Sequence, residues 1–116
     1  MHLATGMDLY EVGFLLLCHF IGDFVLQDDY MALNKSRNNW VLAGHCSIYT
    51  LCFFCFGGYF MLCNFAIHFC VDFVTSRINA RLYEAGERHW FFVAIGADQL
   101  LHFWTLLFLV WYWQVF

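Results

Sequence analysis

Apolar side chains fall in four long stretches, residues 9–27, 39–57, 60–81 and 89–115, separated by short polar connections. A helix needs about 20 apolar residues to cross a hydrocarbon core about 30 Å thick, and each stretch suits that length. Between the first two lies QDDYMALNKSRNN, between the second and third only Gly57 and Gly58 with Asn64 nearby, and between the last two RLYEAGERH. No linker interrupts this order, so residues 1–116 are expected to form one domain. The fold expected is all-α, an integral-membrane four-helix bundle with short connections. The chain has no proline, and no stretch reads as unusually short or broken, unlike the discontinuous helices of many secondary transporters.

Inside these stretches histidine and aspartate recur in pairs four residues apart: His19 with Asp23, His68 with Asp72, and Asp98 with His102. Four residues is about one helical turn, so each pair shares a face. The last pair is reversed, and on a helix running the opposite way it brings the aspartates into one layer and the histidines into the next. His45 joins the cluster at its edge from the second stretch. Gln27, Tyr49, Asn64 and Ser76 extend the same faces by one turn, and Gln99 adjoins Asp98. Gln27, Tyr49, Ser76 and Gln99 are candidates to hydrogen-bond and orient the cluster, or else to bond between helices in the ordinary way. Gly22, Gly44 and Gly96, beside these residues, are expected to let helices approach closely.

Composition sharpens the choice of solvent. With 63% hydrophobic and only 12% charged residues, the chain departs from soluble domains, and its 116 residues are too few to bury so much apolar surface in one core. A net charge of −4, with no basic run and no glycine-rich phosphate loop, argues against a nucleic-acid partner. The six cysteines lie in or beside apolar stretches and read as small buried hydrophobes, the Cys52 and Cys55 pair included. The start, MHLATGMDLYE, lacks the positive region of a signal peptide, so the first helix is expected to be retained. All the basic side chains, Lys35, Arg37, Arg77, Arg81 and Arg88, fall in or beside the first and third connections. The positive-inside rule then puts both termini outside the cytoplasm. Trp40, Trp90, Trp111 and Trp113 lie near span ends, as interfacial anchors do.

An aspartate at mid-membrane costs about 2.5 to 3.5 kcal/mol, so three unpaired ones cost roughly 8 to 10 kcal/mol. The nearest cation along the sequence is Arg77, five residues past Asp72, and one arginine cannot neutralise three carboxylates. A divalent ion can, because imidazole and carboxylate together suit zinc, manganese or iron. His19, Asp23, His45, His68, Asp72, Asp98 and His102 are the candidate ligands, enough for one or two ions. The alternatives are a purely structural polar network, a proton path, or a bis-histidine haem, the last of which gives the aspartates no role.

The motifs HFIGDFVLQ, the NKS at Asn34 to Ser36, His45 with IYT, NFAIHFCVDFVTSRI and DQLLHFWTL extend over nearly the whole chain. In this set it resembles a family of small bacterial and phage integral-membrane proteins, domain of unknown function 3307. The resemblance carries over His19, Gly22, Asp23, Gln27, Lys35, His45, His68, Asp72, Asp98, Gln99 and His102. Relatives often have lysine where this chain has Thr75 to Arg77. The family implies no established activity, and the pattern is loosely similar to families labelled membrane-bound metal-dependent hydrolases.

The leading expectation is a metal-dependent hydrolase in a bacterial inner membrane, acting on a lipid or lipid-linked substrate from the cytoplasmic side. His45 is expected as ligand or general base and Asp98 as a further catalytic group, with Lys35, Arg77 and Arg81 gripping an anionic head group. The alternatives are a non-enzymatic ion or proton conductor, a metal sensor, or a membrane interaction protein with a structural cluster. A homo-oligomer is compatible with each.

Overall fold

A computed structural model describes residues 7–115, and among these the chain is helical. Helix α1 (Leu9–Phe20) starts where the Asp8 side chain accepts the Glu11 backbone N–H at 2.8 Å. It runs on without a break into a π-helical turn, Ile21–Val25, closed by the Leu26 N–H donating to the Ile21 carbonyl at 2.9 Å. The first polar connection contains a short helix of its own, α2 (Asp29–Asn34), capped by the Asp28 side chain on the Met31 N–H. None of its residues is buried. Helix α3 (Asn39–Leu51) follows, then a 3-10 turn at Phe54–Phe56, then the long helices α4 (Gly58–Glu84) and α5 (Arg88–Trp113). Gly57 (φ 100°) and Gly86 (φ 74°) take the left-handed backbone at the two tight reversals, where a side chain would be strained.

Two expectations about regularity fail. The second stretch, 39–57, is α-helical only as far as Leu51, so its 13 residues rise about 20 Å. The apolar run continues through Cys52 to Phe56, but its backbone tightens into turns whose aromatic rings fill the end of the bundle. The first stretch stays helical but widens at its π-turn, which packs closely on its neighbour. The π-turn rests on α3 so closely that a Cβ on Gly22 would sit 2.9 Å from the Tyr49 ring and 3.1 Å from its Cα. Gly44 and Gly96, expected to play the same part, face open space.

Helices α4 and α5 are long and apolar enough to cross a membrane, and only 22% and 28% of their most apolar windows are buried. They run antiparallel along one another, α3 packs on α4, and the π-turn and α2 pack on α3. The apolar core sits toward one end, where Leu15, Phe53, Phe56, Phe60, Leu106 and Val110 close together. Polar side chains fill the other half of the interior: each member of the three His–Asp pairs, together with His45, is buried. Large apolar side chains such as Trp40, Leu62, Phe92 and Trp104 point outward.

Candidate metal centre

Each His–Asp pair is carried inward by a different helix, and His45 meets them from α3. The tightest grouping is Asp23, His45 and His68. His45 Nε2 lies 3.1 Å from Asp23 Oδ1 and 3.2 Å from His68 Nε2, and His68 Nε2 lies 3.7 Å from the same Asp23 oxygen. Atoms bound about 2.0 to 2.1 Å from one tetrahedral ion stand about 3.3 Å apart, so these separations fit a common ion. Asp72, also a candidate ligand, is not part of this group: its Oδ2 lies 3.5 Å from His45 Nε2 and 3.9 Å from His68 Nε2 and is held by Lys35. His45 is therefore central and fully buried rather than at the edge.

A second group brings Asp23 together with Asp98 and His102, again with one ligand atom from each within 4.8 Å of the others. His102 Nε2 stands 3.1 Å from Asp98 Oδ1. Asp23 is common to both groups and its two oxygens have different neighbours. Oδ1 faces His45 and His68, while Oδ2 accepts from Gln99 Nε2 at 3.2 Å. The two groups are also joined below by rings: His68 is stacked between Tyr49 at 3.8 Å and His102 at 4.4 Å, centroid to centroid.

His19 stands outside both groups. Its Nδ1 is paired with the Tyr49 hydroxyl at 2.8 Å and its Nε2 with Gln99 Oε1 at 2.7 Å, leaving it 3.9 Å from Asp23 Oδ2. Tyr49 and Gln99, both named from the sequence, thus hydrogen-bond members of the cluster. Gln99 does so twice over, because its amide also donates to Asp98 Oδ2 at 3.1 Å. Thr75 adds a contact that the pair pattern does not mark: its hydroxyl donates to Asp98 Oδ1 at 2.6 Å. Asn64 is buried one turn before His68, and its Nδ2 has no hydrogen-bond partner among the described residues. Gln27 and Ser76 take a different place, lining a cavity above the cluster.

The cation nearest the aspartates is Lys35, which corrects the expectation for Arg77. Lys35 Nζ reaches down from the end of α2 to Asp72 Oδ2 at 2.8 Å, with only 14% of its side chain exposed. Arg77 turns away, donating to the Phe73 carbonyl and to Asn39 Oδ1 with its guanidinium over the Phe73 ring. Arg81 lines a small surface hollow with Ser36, Arg37 and Glu84. The main cavity measures about 560 Å³. Asp23, Asp72 and Asp98 form its floor, Lys35 and Arg37 its charged rim, and Phe24 and Phe91 part of its apolar wall. Neither His45 nor His68 reaches it.

A family model described as a protein of unknown function, DUF3307, matches residues 12–116. No curated protein and no solved structure matches the chain.

Proposed function

This chain belongs to the DUF3307 family, and we propose that it is an integral-membrane metal protein that hydrolyses a lipid or lipid-linked substrate drawn from the cytoplasmic side. One observation carries the reading: two ligand groups share Asp23 at the floor of a cavity that opens toward the end bearing Lys35, Arg37, Arg77 and Arg81. A polar interior under an apolar surface supports lipid as the solvent, since α4 and α5 expose most of their apolar windows. In the membrane, α1 with its π-turn and α3 with its 3-10 turn complete four crossings, with both termini outside the cytoplasm and the cavity facing the cytoplasmic leaflet. A bacterial inner membrane is the setting that this topology fits.

Asp23, His45 and His68 would hold one divalent ion, and Asp23, Asp98 and His102 a second, the metal being zinc, manganese or iron. When bound, such ions supply Lewis acidity and acidify water. The chain's own groups divide the remaining work. Asp98 faces the cavity and is fixed by Thr75 and Gln99, so it stands ready to orient a hydrogen-bond donor at the floor. His45 lacks a path to the cavity and serves as ligand rather than base. Lys35 neutralises Asp72 and offers its charge to an anionic head group.

A metal-free polar network is the competing reading, favoured by the continuous hydrogen bonds from Tyr49 through His19 and Gln99 to Asp23. Metal analysis of the purified protein separates the two. Wild type should hold two ions per chain, Asp98→Asn one, and Asp23→Asn none. Release of product from a defined lipid by the loaded wild type then tells an enzyme from a conductor or sensor. Protein that stays metal-free after incubation with zinc, manganese and iron, with Asp23→Asn as stable as wild type or more so, would leave the network as the better account.

A further inference from the structure

Three polar side chains lining the cavity have a buried atom with no hydrogen-bond partner among the described residues: Gln27 Oε1, Ser76 Oγ and Asn79 Oδ1. Such an atom bonds whatever enters the cavity, and three of them around one space make its lining suited to a polar occupant. Ser76 is the clearest case, at 7% exposure on the inward stripe of α4 one turn beyond Asp72. Asn79 lies about one turn further along α4, and Gln27 four residues after Asp23. Ser76 and Asn79 therefore stand about 6 to 10 Å along α4 from Asp72, and Gln27 lines the same cavity.

The chemistry of these atoms selects the occupant. Gln27 Oε1 and Asn79 Oδ1 only accept, so the ligand must bring donors, and Ser76 can both give and accept. A bare phosphate ester or a quaternary ammonium offers no donors at neutral pH. Hydroxyl groups do. At the rim Lys35 is paired with Asp72 and Arg37 with Glu84, so an adjoining phosphate would meet these cations by sharing them with their carboxylates, while Phe24 and Phe91 give an apolar wall. A cavity of about 560 Å³ lies within the range of small-molecule sites and holds a head group, with acyl chains left in the bilayer.

We infer that this cavity is a recognition site for a polyol or sugar phosphate head group, borne on a lipid, with Gln27, Ser76 and Asn79 reading its hydroxyls. The inference rests on the hydrolase reading only for which end of the ligand meets the floor; binding itself requires no metal. The test is binding of dihexanoyl phosphatidylglycerol, dihexanoyl phosphatidylcholine and glycerol 1-phosphate to the detergent-purified chain by calorimetry, with metal content measured on each sample. Two or three added hydrogen bonds give about a tenfold preference for the glycerol head over choline. Ser76→Ala with Asn79→Ala should abolish that preference at unchanged metal content. Equal binding of the two lipids by wild type, or a preference that survives in the double variant, overturns the inference. If the variant fails to fold, wild-type preference for phosphatidylglycerol over the equally anionic dihexanoyl phosphatidylmethanol, which has no head-group hydroxyl, decides, and equal binding of these two overturns the inference. Glycerol 1-phosphate binding as tightly as the lipid overturns the lipid source, while weaker binding supports it. A preference found in protein that takes up no metal sinks the hydrolase reading and leaves this one standing.

Discussion

Replacing Lys35 by methionine keeps the length and the apolar stem of the side chain but removes its charge, stranding Asp72. The pair is 2.8 Å apart with 14% and 3% of the two side chains exposed. At an effective dielectric of 20 the attraction at 2.8 Å is about 6 kcal/mol, much of it offset by the desolvation of both ions. What decides the outcome is the uncompensated carboxylate, and removing one partner of a buried pair costs about 3 to 5 kcal/mol. Because the lysine tip is partly exposed, the lower figure applies. Lys35→Met should therefore lose about 3 kcal/mol of stability in metal-free protein, read by reversible unfolding in mixed detergent and SDS. Zinc should shrink that loss to below about 1 kcal/mol, since Asp72 Oδ2 stands 3.5 Å from His45 Nε2 and so beside the proposed ion. The double variant Lys35→Met with Asp72→Asn should recover most of the metal-free loss. An equal loss with and without zinc, or a double variant no better than the single one, would refute the reasoning.

Gly22→Ala should cost about 1 to 3 kcal/mol, because the new methyl meets the Tyr49 backbone as well as its ring; thermal unfolding in detergent measures it, and Gly44→Ala serves as the control with open space around it. Thr75→Val removes the 2.6 Å hydrogen bond to Asp98, which should lower stability by about 1 to 2 kcal/mol and weaken retention of the second ion more than the first in competition with a chelator. Accessibility labelling of single cysteines placed at Gly57 and Gly86 in intact cells should modify the first from outside and the second only after permeabilisation. The opposite pattern would reverse the leaflet that feeds the cavity.

The pair spacing made much of the cluster legible, because i and i+4 put His68 with Asp72 and Asp98 with His102 on inward faces of helices that are regular throughout. The same rule put His19 and Asp23 on one buried face, 3.9 Å apart, but did not show how they divide their partners. There the backbone changes from α to π between the two residues, and the histidine turns to Tyr49 and Gln99 while the aspartate turns to His45. Hydropathy could not mark the end of α3 at Leu51, since Cys52 to Phe56 is as apolar as what precedes it. Helix α2 did carry a readable signal, the Asp28 cap three residues before Met31, inside a segment whose polarity suggests a plain loop. Lys35 with Asp72 and Thr75 with Asp98 join residues 37 and 23 apart. No local periodicity reports contacts of that range, which depend on how α2 and α5 are laid against α4.

The π-turn at Ile21–Val25 makes α1 one residue longer than a regular helix of the same rise would be. Deleting a single residue there, Val25 for instance, would let the helix close with ordinary bonds and gain regularity. The flanks would keep their places, but the residues of the turn itself, Asp23 among them, would lose the aim that the wide turn gives them. The Asp23 carboxylate could then no longer reach His45 with one oxygen and Gln99 with the other. A shortened α1 is thus expected to be the more regular helix and the poorer ligand, so the irregular turn acts as an aiming device for the one carboxylate that both halves of the centre share.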